Sequence, residues 1–256
     1  MSALTFSGNQ AWFVTPDSKY GLSLFPAKKL TDGDFSFLCK MKVDWSSMSP
    51  DDNTKEAGVI IKNGLHLGLS VVKPNLTDCY IKATIWTSDA IPDSDVTNHW
   101  AEVYSKSTMK NFDILVKVNW EADDFIKEYE VGLSFRRKEK EFSVYCNGTW
   151  NTEKYDGDLL DYSNAWLWVG CSNPLESCPE DFRQFFSGEI SRLAVFTKAL
   201  DRDEIFEVYE NFENISKRLK PICAFNFERQ TEYKVLDITN NGNNLVKFDK
   251  KWMDSI

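Results

Sequence analysis

Residues 185–212 read FFSGEISRLAVFTKALDRDEIFEVYENF, and the stretch changes character halfway. Its first half, around EISRLAVFT, is a short apolar-rich run of the kind that forms a strand. Its second half starts like a helix. Asp201 stands as an N-cap with Glu204 three residues on, a capping-box arrangement. Ile205, Val208, Tyr209 and Phe212 then recur at helical spacing and give one apolar face. One short helix near 201–213 is therefore predicted. Its apolar side must dock on the end or the outer side of whatever the strands build.

Working outward, strand signals dominate. Period-two runs rich in Val, Ile, Phe, Tyr and Trp are separated by polar or Gly/Pro/Asn/Asp clusters. They predict strands near 3–7, 11–15, 34–44, 57–62, 65–72, 79–87, 100–106, 111–120, 128–136, 141–146, 165–171, 187–197, 222–228 and 244–248. VIIKNGLHLGL turns at Asn63-Gly64, a hairpin signal. VGLSFRRKEKEFSVYCNG turns at its charged middle. No βαβ spacing, exact repeat or linker interrupts the pattern. The expectation is an all-β chain: a two-sheet antiparallel β-sandwich or jelly roll, with residues 1–256 as a single domain.

Composition bounds the partners. The chain has 256 residues, 42% hydrophobic and 14% aromatic, enough to bury a sizeable core. A formal net charge of −9 argues against nucleic acid as a partner and disfavours an acidic membrane surface. No apolar run approaches the ~20 residues of a membrane span, so no membrane insertion is expected. MSALTFSGNQAWF lacks the basic and apolar regions of an export signal. The expectation is a cytoplasmic chain, or an extracellular one if excised from a secreted protein.

The six cysteines fit a reduced compartment. Phe35, Phe37, Cys39, Met41 and Val43 alternate onto one face. So do Phe142, Val144 and Cys146; Cys79, Ile81, Ala83 and Ile85; and Cys223, Phe225 and Phe227. Thiols in such stripes act as small hydrophobes. Cys171 and Cys178 form a short loop pair that could bridge.

The opening stretch resembles the closing segment of laminin-G-like domains in the concanavalin-A-like lectin/glucanase superfamily. Phe186, Gly188, Glu189, Ile190, Val195, Phe196, Ala199, Leu200, Glu204, Ile205 and Tyr209 carry that resemblance. Other segments follow in the family's order: LTFSGN (4–9), DFSFLCKMKVDW, FDILVKVNWEADD, FSVYCNG with Tyr145, Asn147 and Gly148, and WLWVG. The resemblance implies a jelly-roll sandwich in which a short helix follows that strand. The piece ICAFNFERQTEYKVLDITNNGNNLVKF, with Asp237, Thr239, Gly242 and Asn244, resembles a segment that usually opens such domains. Residues 221–248 are accordingly expected to complete the sheets in a permuted order.

The family divides into binders and hydrolases. Its retaining glucanases carry three carboxylates at alternate positions of one strand, two of them working as nucleophile and acid. Here Glu121-Ala-Asp123 has no third carboxylate. The chain has two histidines, His66 and His99, and no nucleophile-elbow, zincin or phosphate-loop motif. The expectation is a non-catalytic, lectin-like carbohydrate-binding module accessory to a glycan-handling enzyme or surface protein. It would bind an oligosaccharide or polysaccharide and contact other domains of a larger protein. The alternatives are a protein-interaction or structural laminin-G-like module, and a glycan-active enzyme with an unfamiliar site.

A sugar site wants an exposed ring as a platform with polar groups around it. In the hairpin 65–87, Leu65, Leu67, Leu69, Val71, Ile81, Ala83 and Ile85 take the core side. The opposite face then shows His66, Ser70, Tyr80, Lys82, Thr84 and Trp86. Trp166 and Trp168 share another face, which either packs into the core or, if exposed, makes a two-ring platform. The loop 87–100 ends in His99-Trp100 and is a third candidate. Ca²⁺ is a possible cofactor through Asp156, Asp158 and Asp161, through Asp93 and Asp95, or through Asp51, Asp52 and Asn53, though none has a defined ligand spacing.

Overall fold

The computed structural model describes residues 3–7, 12–16, 33–48, 55–62, 67–88, 109–119, 127–159, 167–171 and 185–247. In chain order the elements are β1 (Leu4–Ser7), β2 (Trp12–Pro16), β3 (Phe35–Val43), β4 (Glu56–Lys62), β5 (Leu67–Val72), β6 (Cys79–Ser88), β7 (Met109–Val118) and β8 (Glu128–Arg136). There follow β9 (Glu141–Cys146), β10 (Thr149–Lys154), β11 (Asp158–Leu159), β12 (Leu167–Val169) and β13 (Ser187–Phe196). The chain then forms α1 (Arg202–Glu210), a further helical turn α2 (Ile215–Arg218), β14 (Cys223–Phe225), β15 (Lys234–Val235) and β16 (Asn243–Lys247).

These strands make a two-sheet antiparallel β-sandwich. The seven-stranded sheet runs β1-β13-β3-β8-β9-β10, with β14 beside β13. The nine-stranded sheet runs β6-β5-β4-β12-β2-β16-β15, with β7 and β11 both pairing with β6. The two hairpins expected from turn chemistry form: Lys62 faces Leu67 across β4–β5, and Arg136 faces Glu141 across β8–β9. Asn63-Gly64 and the strand expected at 100–106 lie outside the described residues.

Alternation decides what is inside. Phe35, Phe37, Cys39, Met41 and Val43 point from β3 into the core, as do Phe142, Val144 and Cys146 from β9. Cys79, Ile81, Ala83 and Ile85 meet them from β6. The thiols of Cys39, Cys79, Cys146, Cys171 and Cys223 are free and buried. Burial pushes the Cys146 pKa up to about 12, so this thiol stays protonated and inert. Cys178 lies outside the described residues.

A second apolar cluster lies on the outer side of the seven-stranded sheet. Leu38, Tyr145, Ala194, Phe196 and Ala224 present their side chains there, and Ile205, Val208, Tyr209 and Phe212 close over them. Asp201 and Glu204 form the expected capping box and start α1 cleanly. Two buried serines tie down the approach to the helix. Ser36 Oγ donates to Lys198 O (3.0 Å) and accepts from Leu200 N (2.9 Å), and Ser134 Oγ donates to Leu200 O (2.7 Å). Gly132 lets the helix sit close, because a Cβ there would lie 2.6 Å from Leu38 Cδ2 and 3.2 Å from Ile205 Cδ1. The Tyr209 hydroxyl reaches the sheet backbone. It accepts from the Cys39 amide (3.1 Å) and lies 2.6 Å from the Val131 carbonyl oxygen.

The segment after the helix contributes to both sheets. β14 pairs with β13, whereas β16 pairs with β2. The loop between them turns on the buried Asp237, whose carboxylate accepts from the amides of Ala224 (3.0 Å), Thr239 (3.0 Å) and Asn243 (3.3 Å) and from Thr239 Oγ1. Its own amide donates to Asn244 Oδ1 (3.1 Å).

Strand β10 departs from the expected pattern. Its residues, TWNTEK, are nearly all exposed, as suits a strand at a sheet edge, so no apolar alternation marks it. The Asn147-Gly148 turn, with φ of 44° and 87°, folds it back onto β9.

Two tests follow from this packing. Tyr209→Phe withdraws a hydroxyl from buried backbone groups and should cost about 1–3 kcal/mol of unfolding free energy in a urea titration. Burial raises the pKa of the Asp237 carboxyl above its ordinary 3.8, outweighing the pull of Thr239 and the three amides. The folded chain then holds this proton more tightly than the unfolded chain does. The contribution is fully present below 3.8 and is lost as pH rises through the higher folded-state value. Unfolding curves of wild type against Asp237→Asn should show the wild type losing ground as pH climbs from that point.

Candidate functional site

The outward face of the nine-stranded sheet is set by its register. Across β5–β6, Ser70 stands opposite Lys82 and Val72 opposite Tyr80. Across β6–β7, Tyr80 faces Lys117, Lys82 faces Leu115, Thr84 faces Asp113 and Trp86 faces Asn111. Because Ile81, Ala83 and Ile85 are committed to the core, alternation sends Tyr80, Lys82, Thr84 and Trp86 outward together.

Polar groups on this face are locked to one another. Lys82 Nζ lies 2.8 Å from Glu56 Oε1 and 3.8 Å from Asp113 Oδ2. Ser70 Oγ donates to Glu56 Oε1 (2.8 Å), Thr84 Oγ1 to Asp113 Oδ1, and Asn111 Nδ2 to Asp113 Oδ2 (2.9 Å). At the strand's far end Lys117 pairs with Asp78 at 2.5 Å, and that contact raises the lysine's pKa. Tyr80 and Trp86 are half-buried at either end of this ladder, and Leu115 beside Lys82 is 49% exposed.

The expected residues are thus only partly brought together. Ser70, Tyr80, Lys82, Thr84 and Trp86 share one face, with Ser70 and Thr84 buried beneath their neighbours. Trp168 is no open platform: it is buried, in a small apolar cluster with Cys171, Phe185 and Val246. His66, His99, Trp100 and Trp166 lie outside the described residues. Among the Ca²⁺ candidates, Asp156 pairs with Lys110 at 2.7 Å, and that hydrogen bond holds its carboxyl below the usual range. Asp158 is exposed on β11. Asp51, Asp52, Asn53, Asp93, Asp95 and Asp161 lie outside the described residues, and no metal-binding cluster occurs among those described.

Sequence reasoning missed Glu56, Asn111, Asp113 and Leu115. Residues 111–117 carry a usable signal, since Asn111, Asp113, Leu115 and Lys117 alternate with the apolar Phe112, Ile114 and Val116. It also missed a groove of about 630 Å³ beside α1, on the other sheet.

No protein-family model matches the sequence, and no curated protein matches it. Among solved structures, the chain is similar to a "putative carbohydrate binding protein" from Bacteroides ovatus, with a TM-score of 0.59 at 12% identity over 96% of this chain and 58% of that one. It is also similar to a heptameric SAP-like pentraxin from Limulus polyphemus (TM-score 0.47, 13% identity, 80% of this chain and 79% of that one). A third is the CBM40 of the Ruminococcus gnavus IT-sialidase, solved with α2,3-sialyllactose (TM-score 0.48, 11% identity, 81% and 96%). The chain spans 58% of the length of the Bacteroides ovatus protein, and that likeness is one of fold.

The ladder's coupling is measurable. Lys82→Met leaves Glu56 facing its neighbours without a cation and should lower stability by about 1–3 kcal/mol. Adding Glu56→Gln should recover part of that loss, and a thermal-unfolding double-mutant cycle reads the interaction directly.

Proposed function

We propose that the outward face of β4–β7 is a saccharide-binding surface, and that the chain serves as a non-catalytic carbohydrate-binding module. The observation that carries this reading is the placement of Tyr80 and Trp86. They point the same way from one strand, six residues apart, which is about 20 Å at the rise of a β-strand. Each ring can stack on the apolar C–H face of a sugar. Their separation suits a chain of several sugar units better than a single one. Between them, the groups of Lys82, Thr84, Asp113 and Asn111 are already oriented by their mutual bonds, so little side-chain freedom is lost when hydroxyls dock.

Binding fits the face better than hydrolysis. Cleaving a glycosidic bond needs one carboxyl to deliver a proton and a second to attack or activate water. Glu56 and Asp113 are instead both engaged by Lys82 and by hydroxyl or amide donors. A second reading, docking of another protein, draws on the exposed Leu115. The fold likeness to the Bacteroides ovatus protein supports the first reading by analogy.

A glycan array with the purified chain, followed by calorimetry on the best hit, tests this. Trp86→Ala should weaken binding roughly tenfold, a loss of about 1.4 kcal/mol, and Tyr80→Ala should weaken it less for short oligosaccharides than for long ones. A folded protein that binds no glycan, or one whose binding ignores Trp86→Ala, would sink the proposal.

A further inference from the structure

The groove beside α1 lies on the opposite sheet from Trp86 and plays no part in the saccharide face. Its volume, about 630 Å³, is in the range of small-ligand sites. The outer surface of β3, β8 and β9 forms its floor, and the exposed side of α1 forms one wall.

Both cations in the groove are engaged. Lys40 Nζ lies 3.0 Å from Glu130 Oε1 and 3.3 Å from Glu128 Oε2. Arg202 turns its guanidinium onto the Gly148 carbonyl oxygen at 2.9 Å. The groups left open are electron-rich. Asp203 is exposed in the first turn of α1 and has no hydrogen-bond or ion-pair partner among the described residues. Phe206 is 56% exposed and lines the same groove, on the side of the helix away from the apolar stripe. Three carboxylates, those of Glu128, Glu130 and Asp203, face two cations, which leaves one net negative charge. The positive end of the helix does not reverse this. The capping box already supplies carboxylates there, with Glu204 N donating to Asp201 Oδ1 at 2.8 Å.

We infer that this groove binds an amino sugar bearing a free, protonated amine. A primary ammonium offers three N–H donors to Asp203 and to the glutamate oxygens. The C–H face of the ring rests on Phe206, with the cation held near the ring's negative face. An anionic saccharide is disfavoured, because the groove carries one more carboxylate than it has cations. A neutral one loses the charge-assisted bonds, which are the stronger kind.

Titrating the full chain with glucosamine, N-acetylglucosamine and glucose, followed by amide chemical shifts and calorimetry at neutral pH, tests the assignment. Glucosamine should bind with millimolar affinity and shift the amides around Asp203 and Phe206, whereas the two uncharged sugars should bind at least about fivefold more weakly. Asp203→Asn and Phe206→Ala alter exposed side chains and should each weaken glucosamine severalfold, as read at the amides around this groove and not at those around Trp86. Equal binding of N-acetylglucosamine, no shift with glucosamine, or indifference to Asp203→Asn and Phe206→Ala overturns the inference without touching the saccharide face.

Discussion

Tyr209 carries its phenol oxygen through the apolar layer beneath α1 to the backbone of β3 and β8. A hydroxyl buried there without partners would be costly, so the helix has one depth and one rotation at which it can dock. Stacking of Tyr209 on Tyr145, with ring centroids 6.2 Å apart, and the Arg192 bond to the Tyr209 carbonyl oxygen (2.6 Å) hold that same pose. Burial raises the phenol's pKa well above its ordinary value, so it stays a neutral hydroxyl. Everything on the helix's other side inherits its position from this contact. Arg202 meets Gly148 and Phe206 overhangs the floor because Tyr209, seven and three residues further on respectively, is pinned.

Strand β6 does the equivalent work on the second sheet. One side of it, from Cys79 to Ile85, is wholly buried. That burial fixes the register, because a slip by one residue would exchange the core side chains for Tyr80, Lys82 and Trp86. The outward row is therefore as sharply placed as the core row, although no core contact holds it. Its polar members add only local order, through bonds to Glu56 and Asp113 on the neighbouring strands.

Much of this was legible in the sequence because it is written at short range. The capping box of Asp201 and Glu204, the stripe Ile205–Val208–Tyr209–Phe212, and the alternation in β3, β6 and β9 all depend on neighbours a few residues away. The outward row of Ser70, Tyr80, Lys82, Thr84 and Trp86 follows from the same rule. What could not be read depends on which strands become neighbours. Glu56 and Asp113 are 57 residues apart in the chain and meet only across Lys82. Which way Trp168 faces was left open by the sequence; Leu167 and Val169 take the core side, and Phe185 and Val246, brought in from distant segments, pack against Trp168 on the other. Phe206 escaped notice because it breaks the helical stripe rather than extending it, and β10 because an exposed edge strand needs no apolar alternation.

The two outer faces of the sandwich are finished in different ways, and that difference bears on what each can hold. A bare sheet face is broad and gently twisted, so it can offer rings and hydroxyls along a line but encloses little. It suits an extended ligand whose units are met one at a time. On the seven-stranded sheet, α1 rises above the strands, and the angle between helix and sheet makes a walled recess that a compact ligand can enter. Net charge does not separate the two: Lys82 stands between two carboxylates, Glu56 and Asp113, and the recess also holds one carboxylate more than its cations. The difference is that the surplus carboxylate of the recess, Asp203, faces water at the helix start. A single strand–helix segment, residues 185–212, thus closes the fold and gives its two sides unlike surfaces.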